Sequence, residues 1–280
     1  MNTVVDILKK TEAFFRSKDI PSPRLDAELI LCQHLDLDRV GLYLQFDRPL
    51  NESELAPMRE MVKRRGNREP IAWILGSKGF WSLDLASHKD VLVPRPDSET
   101  LVTAALTLVP ENERCFVADI GSGTGAIGLA IASERPEVRL FSTDISDAAL
   151  QCTRENVHNL ELSDRVAVLK GSLLEAIPAD RTIDIVVSNP PYIPSGEIDG
   201  LAPEIATHEP RTALDGGDDG FDIYRALIPS AASRATTAVL VEIGDGQEDV
   251  VSAMMEEAGL HTIETHKDLT GTIRVVSGRK

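Results

Sequence analysis

The chain has 280 residues, 42% of them hydrophobic and 26% charged, with a formal net charge of −16 at neutral pH. That is enough chain for one large domain or two smaller ones, and with no apolar run near the ~20 residues that span a bilayer, no membrane segment is expected. The acid excess falls in residues 81–280, which carry −17 against +1 in residues 1–80, and such a surface disfavours a phosphate backbone, so no direct nucleic-acid binding is expected.

Residues 1–75 read as a small helical bundle. Val4, Val5, Leu8 and Phe15 recur at near-helical spacing, as do Leu25, Leu29, Leu31 and Leu35. Pro21 and Pro23 part the two, with Ser22 as the expected N-cap of the second helix. Asn51-Glu52-Ser53-Glu54 has the capping-box pattern and predicts a further helix to about Arg65. The basic cluster Arg59, Lys63, Arg64, Arg65 and Arg68 reads as a solvated helix face.

Residues 76–94 read as a hairpin connector, with Gly76, Gly79, Phe80 and Trp81 in its first part and Val91-Leu92-Val93 in its last. Phe80 and Trp81 are expected to pack there, not to stack on bases. In residues 95–280, Pro94-Arg95-Pro96-Asp97 first leads into a helix from about Ser98 to Leu108. From Cys115 strands and helices alternate. Strands are predicted at 116–120, 138–143, 165–169, 183–188, 237–243, 261–265 and 272–277, with helices at 126–134, 147–159, 224–234 and 247–258. That order predicts an α/β fold with a doubly wound, mostly parallel sheet of seven strands. The last two strands are joined too closely for a crossover helix, so the final one should be antiparallel.

Cys32, Cys115 and Cys152 are widely spaced and odd in number. They match no zinc spacing and no disulfide framework, so no metal is expected. The N-terminal residues lack the features of a signal peptide. A reducing, cytoplasmic setting and a monomer are the default expectations.

Two segments carry chemistry. Gly121-Ser122-Gly123-Thr124-Gly125 lies between the first strand and its helix, where glycines allow a sharp turn and close approach of a ligand. Asp144 ends the second strand, where a carboxylate can take both hydroxyl protons of a ribose. This pair alone is ambiguous. Gly123-Thr124-Gly125-Ala126-Ile127-Gly128 also matches the dinucleotide fingerprint, so an NAD-dependent dehydrogenase is a rival. The second segment, Asn189-Pro190-Pro191-Tyr192, closes the fourth strand. It suits a planar nitrogen group about to be methylated, whose lone pair must be held in line with the methyl donor. Asn189 offers a side-chain carbonyl and Pro190 a backbone carbonyl, and neither proline has an N–H to compete. Pro190 also keeps Asn189 extended. Tyr192 can stack on the planar group and exclude water. No strong base is needed, because the proton can leave after transfer. His208, alone before Glu209-Pro210, reads as solvated or structural.

With these segments the chain resembles the HemK/PrmC family, S-adenosylmethionine-dependent protein glutamine N5-methyltransferases acting on peptide chain release factors. The matching stretches are Arg68-Glu69-Pro70-Ile71-Ala72 with Leu75-Gly76, Val93-Pro94-Arg95-Pro96-Asp97-Ser98-Glu99, Asp119 through Gly128, Ser188 through Ile193, Glu209-Pro210-Arg211-Thr212-Ala213-Leu214 with Gly216 through Gly220, and Glu242-Ile243-Gly244. The resemblance implies a Rossmann-like class I methyltransferase fold with a small N-terminal helical bundle and a short hairpin connector. It implies S-adenosyl-L-methionine as cofactor, released as S-adenosyl-L-homocysteine. Gly121, Ser122, Gly123, Thr124 and Gly125 would line its methionine and ribose part, Asp144 its ribose hydroxyls, and Asn189 would border it. Asn189 and Pro190 would hold the glutamine amide, with Pro191 and Tyr192 shaping the slot; Asn189, Pro190 and Tyr192 are the catalytic set. The substrate would be the glutamine in the Gly-Gly-Gln loop of class 1 release factors, gripped partly by the helical domain. One departure is plain: Ser172 stands where the family usually has an acid near the adenine, leaving Ser172, Leu173 and backbone groups for that task. A ribosomal-protein glutamine methyltransferase, a nucleic-acid adenine N6-methyltransferase with the same slot, and a non-catalytic factor that binds release factors are the other readings.

Overall fold

Helix α1 (Val4–Arg16) opens with a reciprocal cap: the Thr3 hydroxyl accepts from the Asp6 N–H, and the Asp6 carboxylate accepts from the Thr3 N–H. Helix α2 (Pro23–Leu35) starts where expected, but the Ser22 side chain makes no capping bond. Pro23 sets the start instead, since a first-turn residue needs no N–H partner. Helix α3 (Arg39–Leu44) is capped by Asp38, and α4 (Glu52–Gly66) by the Asn51–Glu54 box. Helix α5 (Ile71–Leu75) ends on Gly76 in the left-handed conformation. Leu8, Phe15, Ile30, Leu31, Leu42 and Met58 are buried between these helices.

The second helix does not follow its apolar pattern. Leu25 is exposed, while Asp26 and Glu28 are buried. Each buried acid is matched. Asp26 accepts from Arg65 at 2.6 Å, and Glu28 accepts from Arg24, Arg39 and the Tyr43 hydroxyl. Arg65 is therefore buried, not part of a solvated face; a buried carboxylate left without its cation would cost several kcal/mol. Arg59 and Arg64 also hold carboxylates, Glu52 and Glu69.

This computed structural model describes residues 2–280. The chain divides into two compact units, one made of the residues up to Ser77 with Ala202–His208, the other of Lys78–Leu201 with Glu209–Lys280. Strands β1 (Ser77–Phe80) and β2 (Leu83–Ala86) pair as a two-stranded sheet across Trp81-Ser82. The expected strand at Val91–Val93 does not form. A two-residue loop brings Leu83–Ala86 into register first, and Trp81 is fixed there by Glu99 and Glu134. After a 3-10 turn, Pro96–Ser98, come α6 (Glu99–Leu106), β3 (Cys115–Ile120), α7 (Ala126–Glu134), β4 (Val138–Asp144), α8 (Asp147–Asn159), β5 (Val166–Lys170) and β6 (Ile183–Ser188). There follow α9 (Pro203–His208), α10 (Asp222–Arg234), β7 (Ala235–Glu242), α11 (Glu248–Glu257), β8 (His261–Lys267) and β9 (Ile273–Arg279). Helix α9 belongs to the first unit: its Glu204 pairs with Arg65 at 2.9 Å and Arg68 at 2.5 Å, and His208 Nε2 lies 3.1 Å from the Asn67 carbonyl.

The main sheet has the order β5-β4-β3-β6-β7-β9-β8. Strands β3 to β7 pair in parallel, and β9 inserts antiparallel between β7 and β8, as the short last link requires. Both faces are covered. Val117, Leu140 and Ile185 pack with Leu101 and Leu129 on one side, and Ala118, Val186 and Val239 with Tyr224 and Leu227 on the other. This two-sided burial is why the strands read as continuous apolar runs. The order reverses between β3 and β6, and the carboxyl ends of strands beside such a switch point form a natural ligand crevice.

Candidate active site

A cleft opens at that switch point. Gly121 and Gly123 line it from the end of β3, Asp144, Ile145 and Ser146 from the end of β4, Gly171, Ser172 and Leu173 after β5, and Ser188 to Pro191 from the end of β6. The glycine loop is held from behind. The N–H groups of Gly121 and Ser122 donate to the Thr143 carbonyl, and Thr153 Oγ1 donates to the Gly123 carbonyl at 2.9 Å. Asn156, buried on α8, takes the Thr124 carbonyl and both backbone groups of Ala86. Gly125 enters α7 at φ +84°, where an added Cβ would come within 2.8 Å of Leu129; only glycine fits that junction without strain.

Asp144 is half-buried at the centre of the loop system. Its Oδ2 accepts from the Gly123 N–H at 3.0 Å and its Oδ1 from the Ser146 N–H at 2.9 Å. Each oxygen keeps a second lone pair for a ligand hydroxyl. Leu173 is held at φ +50° with its carbonyl taken by Thr143 Oγ1, while Ser172 is exposed at the rim.

Asn189 stands across the cleft. Its Nδ2 lies 3.1 Å from the hydroxyl of Ser98, which is buried in the turn before α6. Pro190 beside it is buried and also lines the cleft, and Tyr192 turns its hydroxyl to Glu242 at 3.4 Å. The segment after the slot folds back upon it. The Ile193 N–H donates to the Leu214 carbonyl and the Gly216 N–H to the Ile193 carbonyl, and Glu209, buried, accepts from Arg95 and from the Val93 N–H. The two sequence stretches Val93–Glu99 and Glu209–Leu214 thus meet at the cleft.

Not every residue expected at the cofactor or the substrate slot reaches the cleft. Gly121, Gly123, Asp144, Ser172, Leu173, Asn189, Pro190 and Pro191 line it, and Ser122, Thr124, Gly125 and Tyr192 do not. Ser122 and Thr124 are buried, and the Ser122 hydroxyl faces Thr153; a tight loop needs its own polar atoms satisfied from within. Asp90, Val91 and Leu92, and Thr212 and Ala213 opposite, also line the cleft. No motif reading singles out Asp90 to Leu92, because they act through position rather than through a distinctive residue type.

Residues 6–76 match the family model of the PrmC N-terminal domain, and residues 98–217 that of the methyltransferase small domain. The release factor glutamine methyltransferase of Bradyrhizobium diazoefficiens is 43% identical over 274 residues, 96% of this chain and 92% of its own. That of Geobacter sulfurreducens is 39% identical over 279 residues, 99% of this chain and 96% of its own. The chain belongs to the release factor glutamine methyltransferase family. Among solved structures, a methyltransferase from Pyrococcus furiosus shares the fold, with a TM-score of 0.53 and 17% identity over 72% of this chain and 91% of that one.

The acid at the head of the glycine loop is buried, which disfavours its ionised form. Asp119 is 1% exposed, and its Oδ2 accepts from the Gly128 N–H at 3.1 Å, while Oδ1 has no partner. Burial pushes its carboxyl up to about 7; the Gly128 bond opposes that rise and the Asp144 charge adds to it. Because the folded value lies above the unfolded one, the folded protein holds the extra proton between about pH 4 and pH 7. The stability from this group is complete below that window and is lost as pH rises through it, by roughly 4 kcal/mol at ~1.4 kcal/mol per unit. Asp119→Asn should therefore flatten the fall in unfolding free energy between pH 4 and pH 7 when both proteins are unfolded in urea. Parallel curves would mean that Asp119 does not change charge there.

Proposed function

We propose that this chain transfers a methyl group from S-adenosyl-L-methionine to the side-chain amide nitrogen (N5) of the glutamine in the Gly-Gly-Gln loop of class 1 peptide chain release factors. The cleft suits that cofactor. Added Cβ atoms at Gly121 and Gly123 would meet nothing within 4 Å, so the loop backbone is bare toward the cleft. Asp144 brings two acceptor oxygens to where ribose hydroxyls would lie, and Leu173 offers an apolar surface for a purine. When bound, the cofactor supplies a methyl group on a sulfonium, which needs a positioned nucleophile and no metal-bound nucleophile.

The observation that carries the reading is the state of Asn189. With its NH2 directed at Ser98, its Oδ1 is left for the substrate, and the carbonyl of the following residue, Pro190, would be the second acceptor. Two acceptors side by side hold an amide NH2 by both hydrogens and so fix where its nitrogen points. As positive charge grows on that nitrogen, both acceptors face it. The proton leaves after transfer, so no histidine is assigned as base. The test is methyl transfer from labelled S-adenosylmethionine to a purified release factor, beside the same factor with its loop glutamine replaced. Label on the first alone is expected. Label on both, or on a ribosomal protein or DNA instead, would discard the release-factor glutamine as the acceptor.

A further inference from the structure

The stretch that forms the slot leaves β6 with few means of holding itself. Pro190 and Pro191 have no N–H to give to a neighbour. On the near side the Ser188 hydroxyl donates to the Ile120 carbonyl at 2.7 Å. On the far side the Tyr192 carbonyl accepts from Gln247 Nε2 at 3.0 Å. Gln247 directly precedes α11 and is 8% exposed, and its Oε1 accepts from the Gly244 N–H at 2.9 Å. These partners fix which way the amide faces, because the Gly244 N–H can only donate and the Tyr192 carbonyl can only accept. Gly244 lies just beyond β7, the strand paired with β6. Gln247 therefore ties the far end of the slot to the sheet, whereas the Ile193 bond to Leu214 ties it to a loop. The contact is also closed in from the loop side. Gly220 passes at φ +82°, and a Cβ there would come within 2.6 Å of the Tyr192 carbonyl oxygen and 3.0 Å of Gln247 Nε2.

Stiffness carries this anchor back to the slot. The rings of Pro190 and Pro191 lock φ at two successive residues. A shift of Tyr192 is therefore passed to the Pro190 carbonyl instead of being absorbed between them. Misplacement of a reacting group by about 1 Å can cost on the order of a hundredfold in rate. We infer that Gln247 is a positioning residue for the transfer: its side-chain amide holds the Tyr192 backbone and, through the two prolines, sets the Pro190 carbonyl that would receive the glutamine amide. The inference rests on the amide-transfer reading above.

Gln247→Met tests it, being unbranched, similar in length and without a donor. The kcat for the release factor should fall roughly ten- to a hundredfold, with KM for the factor within a few-fold and S-adenosylmethionine affinity unchanged by calorimetry. That split separates positioning from loss of structure, since a disordered site would lose the cofactor too. Gln247→Glu is equal in size and keeps an acceptor for Gly244, but at pH 8.5 its carboxylate has no proton for Tyr192. It should show the same fall in kcat, and it decides the matter if Gln247→Met does not fold. The Tyr192 carbonyl gives a readout without turnover. Tyr192-Ile193 is the only Tyr-Ile pair in the chain, so carbonyl-13C tyrosine with 15N isoleucine marks it with a single resonance. In both variants that resonance should shift to lower frequency as the carbonyl loses its donor. A wild-type kcat in either variant at pH 8.5, loss of S-adenosylmethionine binding along with kcat, or an unmoved carbonyl resonance would overturn the inference. If wild-type protein methylates no release factor, it is the functional reading that falls, and the resonance still decides whether Gln247 holds Tyr192.

Discussion

Asn189→Ala is expected to reduce methyl transfer by about a hundred- to a thousandfold, the usual cost of removing one group aimed at developing charge. S-adenosylmethionine affinity should stay within a few-fold. The separation follows from where Asn189 sits. Its side chain makes one bond in the free protein, to Ser98, so losing it should cost only about 1 kcal/mol of stability. The Pro190 carbonyl remains, but a single acceptor lets the amide swing about one N–H, and the nitrogen is no longer held in line. Single-turnover transfer to a release factor, with calorimetric cofactor titration on the same preparation, checks both halves. Transfer that survives alongside intact cofactor binding would place the glutamine elsewhere in the cleft.

The layered architecture was legible because it rests on local signals. Strands β3 and β6 are buried on both faces, so each shows an unbroken apolar run, and the short link from β8 to β9 fixes the antiparallel strand. Helix α2 was not legible in the same way. Asp26 and Glu28 are buried because Arg65, Arg39, Arg24 and Tyr43 neutralise them, and apolar periodicity does not register pairing with residues far along the chain. Ser98 shows the same limit at the site. Its place before a helix suggests a cap, yet it makes no capping bond and instead meets Asn189, 91 positions away. The glycine loop was read as ligand-facing throughout, whereas half of it is turned inward by Thr153 and Asn156, and both lie on a helix whose sequence carries no motif.

Asp144→Ala should raise the dissociation constant for S-adenosylmethionine by about a hundredfold or more, with kcat at saturating cofactor close to wild type. Two hydroxyl bonds to a charged acceptor are worth roughly 1.5–3 kcal/mol each, and each tenfold in affinity is about 1.4 kcal/mol. The carboxylate also anchors the loop, since it takes the N–H groups of Gly123 and Ser146, so the variant loses preorganisation as well as the hydroxyl bonds. Asp144→Asn should fall between, keeping one acceptor without the charge. Calorimetry with S-adenosylmethionine and, separately, NAD decides the matter. Tight NAD binding by the wild type would favour the dinucleotide reading, because an acid at this position serves either ribose. Loss of S-adenosylmethionine affinity in Asp144→Ala, set against loss of turnover in Asn189→Ala, would assign binding to the β4 side of the switch point and transfer to the β6 side.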